Sequence, residues 1–199
     1  MRKITIGLLG MFVVTAVLGF GTVAAGERAT PGKTTPKKTT PQKAAPQLTV
    51  AEWVKAKRLK VDEKDKLGTT LAHLAAIEGR VDALEWLKGQ GADINARTNT
   101  GYTPMHWAAV GQIGAMQWLK ENGVGVSVKD NGGGTPMHMA AGRGQIGAMA
   151  WLKEQGADIN AKDDDGTTPL QLAIGHEVLK RDVDRYKATL KWLRENSAK

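Results

Sequence analysis

The sequence predicts an all-α repeat solenoid, a stack of helix-turn-helix units joined by short β-hairpin fingers. Three observations predict it. A tryptophan followed by an aliphatic and a basic residue recurs as Trp53-Val54-Lys55, Trp86-Leu87-Lys88, Trp118-Leu119-Lys120, Trp151-Leu152-Lys153 and Trp192-Leu193-Arg194, in steps of 33, 32, 33 and 41 residues. The stretch Gly101-Tyr102-Thr103-Pro104-Met105-His106-Trp107-Ala108-Ala109 returns as Gly133-Gly134-Thr135-Pro136-Met137-His138-Met139-Ala140-Ala141, and more loosely over 68–76 and 166–173. Finally, Gly91-Ala92-Asp93-Ile94-Asn95-Ala96 returns as Gly156-Ala157-Asp158-Ile159-Asn160-Ala161. A fixed period of this size marks units that cannot bury their apolar faces alone and stack so that neighbours complete the core. Stacks of this kind present surfaces and seldom carry out chemistry.

Two segments precede the stack. Residues 1–25 read as an export signal: Met1-Arg2-Lys3 is basic, 4–20 is apolar apart from threonines and glycines, and Val23-Ala24-Ala25 suits cleavage after Ala25. An uncleaved anchor is the alternative, because the apolar run is long for a signal and short for a spanning helix. No cysteine follows, which excludes a lipoprotein, and the chain has none anywhere, which removes disulfides, thiol catalysis and thiolate metal sites. Residues 26–48 place proline at 31, 36, 41 and 46 among threonine and lysine. Such a composition has nothing with which to build a core and is expected to be a disordered, extended spacer.

The formal net charge of +8 divides unevenly. Arg2 and Lys3 lie in the signal, and Arg28, Lys33, Lys37, Lys38 and Lys43 against Glu27 lie in the spacer, so the stack itself is nearly balanced. That argues against nucleic acid as a partner. Weak contact of the basic spacer with anionic membrane or cell-wall polymer is an expectation; lysine that merely keeps a spacer soluble is its alternative.

Within the stack, Thr49-Val50-Ala51-Glu52 has capping-box spacing and opens an N-terminal capping helix over 49–64, with Lys55, Lys57 and Arg58 for a polar outer face. Units follow over 65–97, 98–129 and 130–162. In the first, Val81, Leu84 and Leu87 form a helical stripe. The second is one residue short, where Ala108-Ala109-Val110-Gly111 matches Ala75-Ala76-Ile77-Glu78-Gly79, and the deletion is expected in the turn between helices. Gly123-Val124-Gly125-Val126-Ser127 departs from the motif, so the next finger should be less regular. The fourth unit, 163–199, has about eight extra residues before Trp192, with Val178, Leu179, Val183, Tyr186, Leu190 and Leu193 at roughly helical spacing. It reads as an elongated cap; an interaction helix is the sharper alternative.

The Thr-Pro-Met-His and paired-alanine segments, with the Gly-Ala-Asp-Ile-Asn-Ala motifs, resemble the ankyrin repeat over about residues 48 to 199. The resemblance implies a turn, a helix start and a close-packed first helix at each motif. It also implies that partners bind at the finger tips and on the concave face of the first helices. Carried over by motif, the expected ridge holds Lys66, Leu67 and Thr69, then Asn99, Thr100 and Tyr102, then Asn131 and Gly134, then Asp164, Asp165 and Thr167, with Gln112, Arg143 and Gln145 nearby. Tyr102 and Trp107 are the aromatic anchors, since interface hot spots favour large rigid side chains and arginine.

Chemistry has weaker support. His73, His106 and His138 occupy one repeated place and are expected to be buried hydrogen-bonding residues, a repeat apart and without paired metal-ligand spacing. Asp163-Asp164-Asp165-Gly166 lacks the alternating ligands and closing glutamate of a calcium loop. Gly132-Gly133-Gly134 has no lysine for a phosphate loop and is expected to be a flexible finger tip. The tryptophans of the series are expected in core or semi-buried stacking, and the lysines after them suggest a polar convex side. The function expected is therefore an exported, periplasmic protein-binding module with no cofactor, metal or catalysis, acting as a monomer that restrains or protects a periplasmic enzyme. A secreted effector aimed at a host protein is the alternative, and a hydrolase or metal enzyme is the remote one.

Overall fold

The computed structural model describes residues 48–178 and 183–197, within one compact unit. The expected signal, the spacer up to residue 47 and Leu179 lie outside the described residues, as do the side chains of His176, Val178 and Val183. Among the described residues there are helices and no strand. They are α1 (Val50–Lys57), α2 (Leu71–Glu78), α3 (Val81–Gly89), α4 (Pro104–Ala108), α5 (Ile113–Glu121), α6 (Pro136–Gly142), α7 (Ile146–Glu154), α8 (Pro169–Val178) and α9 (Val183–Ser197). Helices α2, α4, α6 and α8 pack side by side in one layer, and α3, α5 and α7 pack behind them in a second. The all-α solenoid stands; its fingers are tight turns rather than strand-paired hairpins.

Local chemistry starts each helix. Thr49 Oγ1 accepts from the Glu52 amide at 3.3 Å while the Glu52 carboxylate accepts from the Thr49 N–H at 2.9 Å, so the expected capping box closes. Pro104 and Pro136 sit in the first turns of α4 and α6, where a missing N–H costs nothing and a fixed φ helps. Trp53, buried on α1, donates its Nε1–H to Glu78 at 2.6 Å, and Lys57 pairs with the same carboxylate. The half unit is thereby tied to α2, the first helix of the next.

Burial follows the repeat. Leu84, Leu87, Met116, Leu119, Met149 and Leu152 of the second layer are fully buried, as are Leu71, Met105 and Met137 of the first. The alanine pairs Ala75-Ala76, Ala108-Ala109 and Ala140-Ala141 are also buried, and their small side chains let neighbouring layers close to interior density. The tryptophan series is shallower than its regularity suggests. Trp118, Trp151 and Trp192 are half-buried against the core, and Trp86 is 37% exposed. In these four it is the leucine after the tryptophan that fills the core, whereas in the half unit Trp53 is itself buried and Val54 only partly so.

The lysines completing those triplets connect units. Lys88 donates to Asn122 Oδ1, Lys120 to Gln155 Oε1, and Lys153 to Asn196 Oδ1 at 2.9 Å, each reaching the C-terminal end of the next second-layer helix. These bonds are exposed and compete with water. Replacing Lys120 by alanine should lower the thermal midpoint by only about 2 °C, measured by circular dichroism.

Three expectations are corrected. The missing residue of the second unit does not simply shorten the turn: α4 has five residues where α2 has eight, and Gly111 opens to φ 128° where Gly79 and Gly144 lie at 69° and 66°. Only glycine reaches that backbone at low cost, so the helix end unwinds and the turn stretches. The third finger is as regular as the others, because the irregularity stays upstream. There Gly125 has no carboxylate to accept the amide two residues on, as Asp93 and Asp158 do at 2.8 Å. Nor is the glycine run slack, since the Gly132 and Gly134 amides donate to Asp130 Oδ1 at 2.8 and 2.9 Å.

The last helix, α9, has 15 residues and packs on α8. Tyr186, Leu190 and Leu193 are buried, and Tyr186 Oη donates to the Gly142 carbonyl at 2.8 Å. Its early turns therefore reach back over the turn between α6 and α7, as an elongated cap does.

Candidate protein-binding surface

Each finger is built by one short side chain. Asp65 Oδ1 accepts the amides of Leu67 and Thr69, Asp130 Oδ1 those of Gly132 and Gly134, and Asp163 Oδ1 those of Asp165 and Thr167. In the second finger Thr98 Oγ1 takes the Tyr102 amide at 3.0 Å. A backbone bond closes every finger: Asp65 to Thr69, Thr98 to Tyr102, Asp130 to Gly134, and Asp163 to Thr167, all at 2.8–3.0 Å. Aspartate and threonine suit this task because a short acceptor satisfies amides two and four residues on.

Adjacent fingers are then bonded tip to tip. The amides of Asn99, Asn131 and Asp164 donate to the carbonyls of Leu67, Thr100 and Gly132 at 2.9, 3.0 and 2.9 Å. The side-chain amide of Asn99 donates to the Lys66 carbonyl at 3.0 Å, and that of Asn131 to the Asn99 carbonyl at 2.9 Å. Arg97 braces the middle of the ridge through Lys129 O and Asn131 Oδ1.

The buried histidines pin fingers to helices. His73 Nδ1 accepts from the Thr70 N–H at 3.2 Å, and His73 Nε2 lies 2.9 Å from the Tyr102 carbonyl of the next finger. A carbonyl only accepts, so Nε2 carries the proton and Nδ1 is bare. His106 repeats this between Thr103 and Gly134, and His138 between Thr135 and Thr167. Burial pushes His106 down to about 4 and lowers His73, the carbonyl bonds opposing it in both. In the fourth unit Gln171 takes the histidine's place and still caps Thr168 at 2.8 Å. No further finger follows there among the described residues.

Beside the fingers, the residue after each histidine or its glutamine is apolar and half-buried: Leu74, Trp107, Met139 and Leu172. Ile77, 36% exposed, and Val110 extend the row one turn on. Trp107 stands edge-on to His73 at 5.4 Å and Tyr102 edge-on to His106 at 5.5 Å, geometries aromatic pairs prefer. Burial raises the Tyr102 hydroxyl above its ordinary value, Asp130 adds to the effect and Arg143 opposes it, so Arg143 lies within electrostatic reach of this ring. Among the described residues no group of three or more His, Cys, Asp or Glu side chains is placed to hold a metal ion.

The expected ridge residues fall into three groups. Lys66, Leu67, Asp164 and Asp165 are exposed at the end tips, Leu67 to 66%, and Tyr102 and Trp107 line the row. Thr69, Asn99, Thr100, Asn131 and Thr167 are spent on the scaffold. Thr69 is buried, Thr100 meets Thr98 Oγ1 at 3.1 Å, and Thr167 supplies the acceptor for His138. Gln112 and Gln145 are not near the tips. They begin α5 and α7, at the far end of the first helices, where Gln112 covers Gly79 and Gln145 covers Gly111. Arg143 follows the last residue of α6 at that same end. The row of Leu74, Ile77, Val110, Met139 and Leu172 was absent from the expected site. Its signal was in the sequence, as an apolar residue after each repeated histidine or glutamine, but half-exposed apolar residues read like residues that face the core.

A family model described as ankyrin repeats in three copies matches residues 43–130 and 110–195. Over 44 residues, 22% of this chain and 2% of the relative, the sequence is 52% identical to the neurogenic locus Notch protein of Drosophila melanogaster. Over 59 residues, 30% of this chain and 38% of the relative, it is 32% identical to protein phosphatase 1 regulatory subunit 27 of Mus musculus. The chain thus spans well under half the length of either relative. With matched motifs along the whole stack, histidines that join each unit to the next finger, and two helical layers in register, this chain belongs to the ankyrin-repeat family.

Proposed function

We propose that this protein is an exported, monomeric binding module that docks an enzyme of the periplasm on the first-helix row and the finger ridge, and so restrains or protects it. Ankyrin repeats indicate a protein–protein interaction module. The observation that carries the site is the continuous apolar row of Leu74, Trp107, Met139 and Leu172, with Tyr102 beside it, held half open by helices whose buried histidines are hydrogen-bonded through both ring nitrogens. Side chains fixed before binding lose little entropy on docking. One relative is named as the regulatory subunit of an enzyme, which supports an enzyme as the kind of target. Export rests on the basic start and apolar run of residues 1–25.

Cell fractionation followed by affinity capture tests this reading. The mature chain should be recovered from the periplasm with an enzyme whose activity changes on binding. Replacing Tyr102 and Trp107 together by alanine should weaken that complex by about 30-fold or more, measured by calorimetry, since truncating paired aromatic anchors typically costs about 2 kcal/mol or more. Recovery from the medium would favour a secreted effector, and full retention of the partner would remove the row from the site.

A further inference from the structure

The ridge changes character along its length. Its four tips read Lys66-Leu67, Asn99-Thr100, Asn131-Gly132 and Asp164-Asp165, so charge is held at the ends and the middle is neutral. The two asparagines are consumed internally, each donating its side-chain amide to the backbone carbonyl of the preceding tip.

Asp164 occupies the asparagine position in the fourth finger. Its Oδ1 lies 2.4 Å from where a Cβ on Gly133 would stand, as Asn131 Oδ1 lies 2.3 Å from one on Gly101. A carboxylate has no amide hydrogen to give, so the donor that closed the two earlier steps is missing from the third. Among the described residues no hydrogen bond reaches the Asn131 carbonyl. Asp163 is occupied within its own turn, which leaves the exposed Asp164 and Asp165 carboxylates as the acceptors at this end. The chemistry lacking there is a cationic donor, and a guanidinium or ammonium supplies both charge and N–H.

The first-helix row begins beside this end, at Leu172, and runs through Met139 and Trp107 to Leu74. Resting on the docking role assigned above to that row, we infer that the surface takes a partner segment that is apolar where it crosses Met139 and Trp107 and carries an arginine or lysine where it meets Asp164 and Asp165. The apolar part supplies affinity; the charged end fixes the direction in which the segment lies. The tip-to-tip bonds hold the acidic end at a constant distance from the row, so the partner's base and apolar residues are read as one spacing.

The full chain, carrying a photoreactive benzoylphenylalanine at Val110 or at Lys162, is crosslinked in the producing cell and the joined peptides are sequenced. Val110 reports on the row, and Lys162, exposed in the fourth finger, reports on the acidic end. The expected result is one partner protein at both positions, apolar residues at the first and an arginine or lysine within a few residues of the second. Asp164→Asn with Asp165→Asn then separates binding from folding, because an amide at 164 restores the missing donor. The double variant should melt no lower than the parent yet lose about tenfold in crosslink yield, as 0.5 M salt should do to the parent. Unchanged yield in that variant, or a fourth-finger peptide without a basic residue, overturns this inference and leaves the docking role intact. No crosslink at Val110, or a crosslink only to a second copy of this chain, overturns the docking role and this inference with it.

Discussion

Replacing His106 by alanine should destabilise the stack by about 3–4 kcal/mol, a loss of about 10 °C in the thermal midpoint for a domain of this size. Three effects add. The buried Thr103 N–H loses its acceptor, the Gly134 carbonyl is left with the Asp130 N–H as its one donor, and a cavity opens where a fully buried ring stood. Because a solenoid's stability is a sum of unit and interface terms, the loss falls at one interface. Denaturant unfolding should therefore broaden or divide rather than shift as a single transition, which spectroscopic melts can resolve.

The same residue makes stability depend on pH. His106 titrates near 4 when folded and near the ordinary 6.5 when unfolded, because burial opposes its charged form. Between those values the unfolded chain holds more protons, so stability rises with pH. The contribution is fully present above about 6.5 and is lost progressively as pH falls toward 4, for a total of about 3 kcal/mol. His73 is shifted in the same direction and adds to the loss. Gln171 suggests the control. His106→Gln should keep the Thr103 cap, cost less than alanine, and flatten the pH dependence between 4 and 6.5. A midpoint that falls as steeply in the glutamine variant would show that another group governs the acid response.

Replacing Gly101 by alanine should cost about 3 kcal/mol, the second large effect. Gly101 has φ 85°, which an L side chain adopts at a cost of about 1–2 kcal/mol. The added methyl would also stand 2.6 Å from the Asn131 backbone nitrogen and 2.3 Å from its Oδ1, within the tip-to-tip bonding of the second and third fingers. The backbone cannot move aside without breaking the Asn131 amide bond to Thr100. Gly123 separates the two causes: its φ is 87°, but nothing lies within 4 Å of an added Cβ. Gly123→Ala should cost only the backbone part, about 1–2 kcal/mol. Equal losses at the two sites in a denaturant titration would mean that finger contact contributes nothing.

Much of this structure was legible because repetition turns one weak local signal into several in phase. Thr-Pro-Met-His marks a turn, a proline-started helix and a buried cap each time it occurs, and Thr49 with Glu52 closes a capping box from four residues alone. The site was less legible. Asn99 and Asn131 look like free polar groups at exposed tips, yet their amides are committed to the preceding finger. Gln112 and Gln145 lie close in sequence to the ridge motifs, but the first helix carries them to its other end, over the glycines of the preceding unit.

What the sequence alone determined is whatever depends on nearest neighbours along the chain: the period, the helix starts, the acidic and threonine side chains that fold each finger, and the half-unit cap. Tertiary structure decided which repeated residues are spent between units and which are left for a partner. Leu87 and Trp86 are adjacent, and only packing makes one fully buried and the other exposed. Lys66, Asn99, Asn131 and Asp164 each take part in the tip-to-tip contacts, and only the bonds across fingers separate scaffold from free chemistry. The physical reason is that a hydrogen bond or a buried face between units links residues about 33 positions apart, and no pattern within one unit records whether its partner is another unit or another protein.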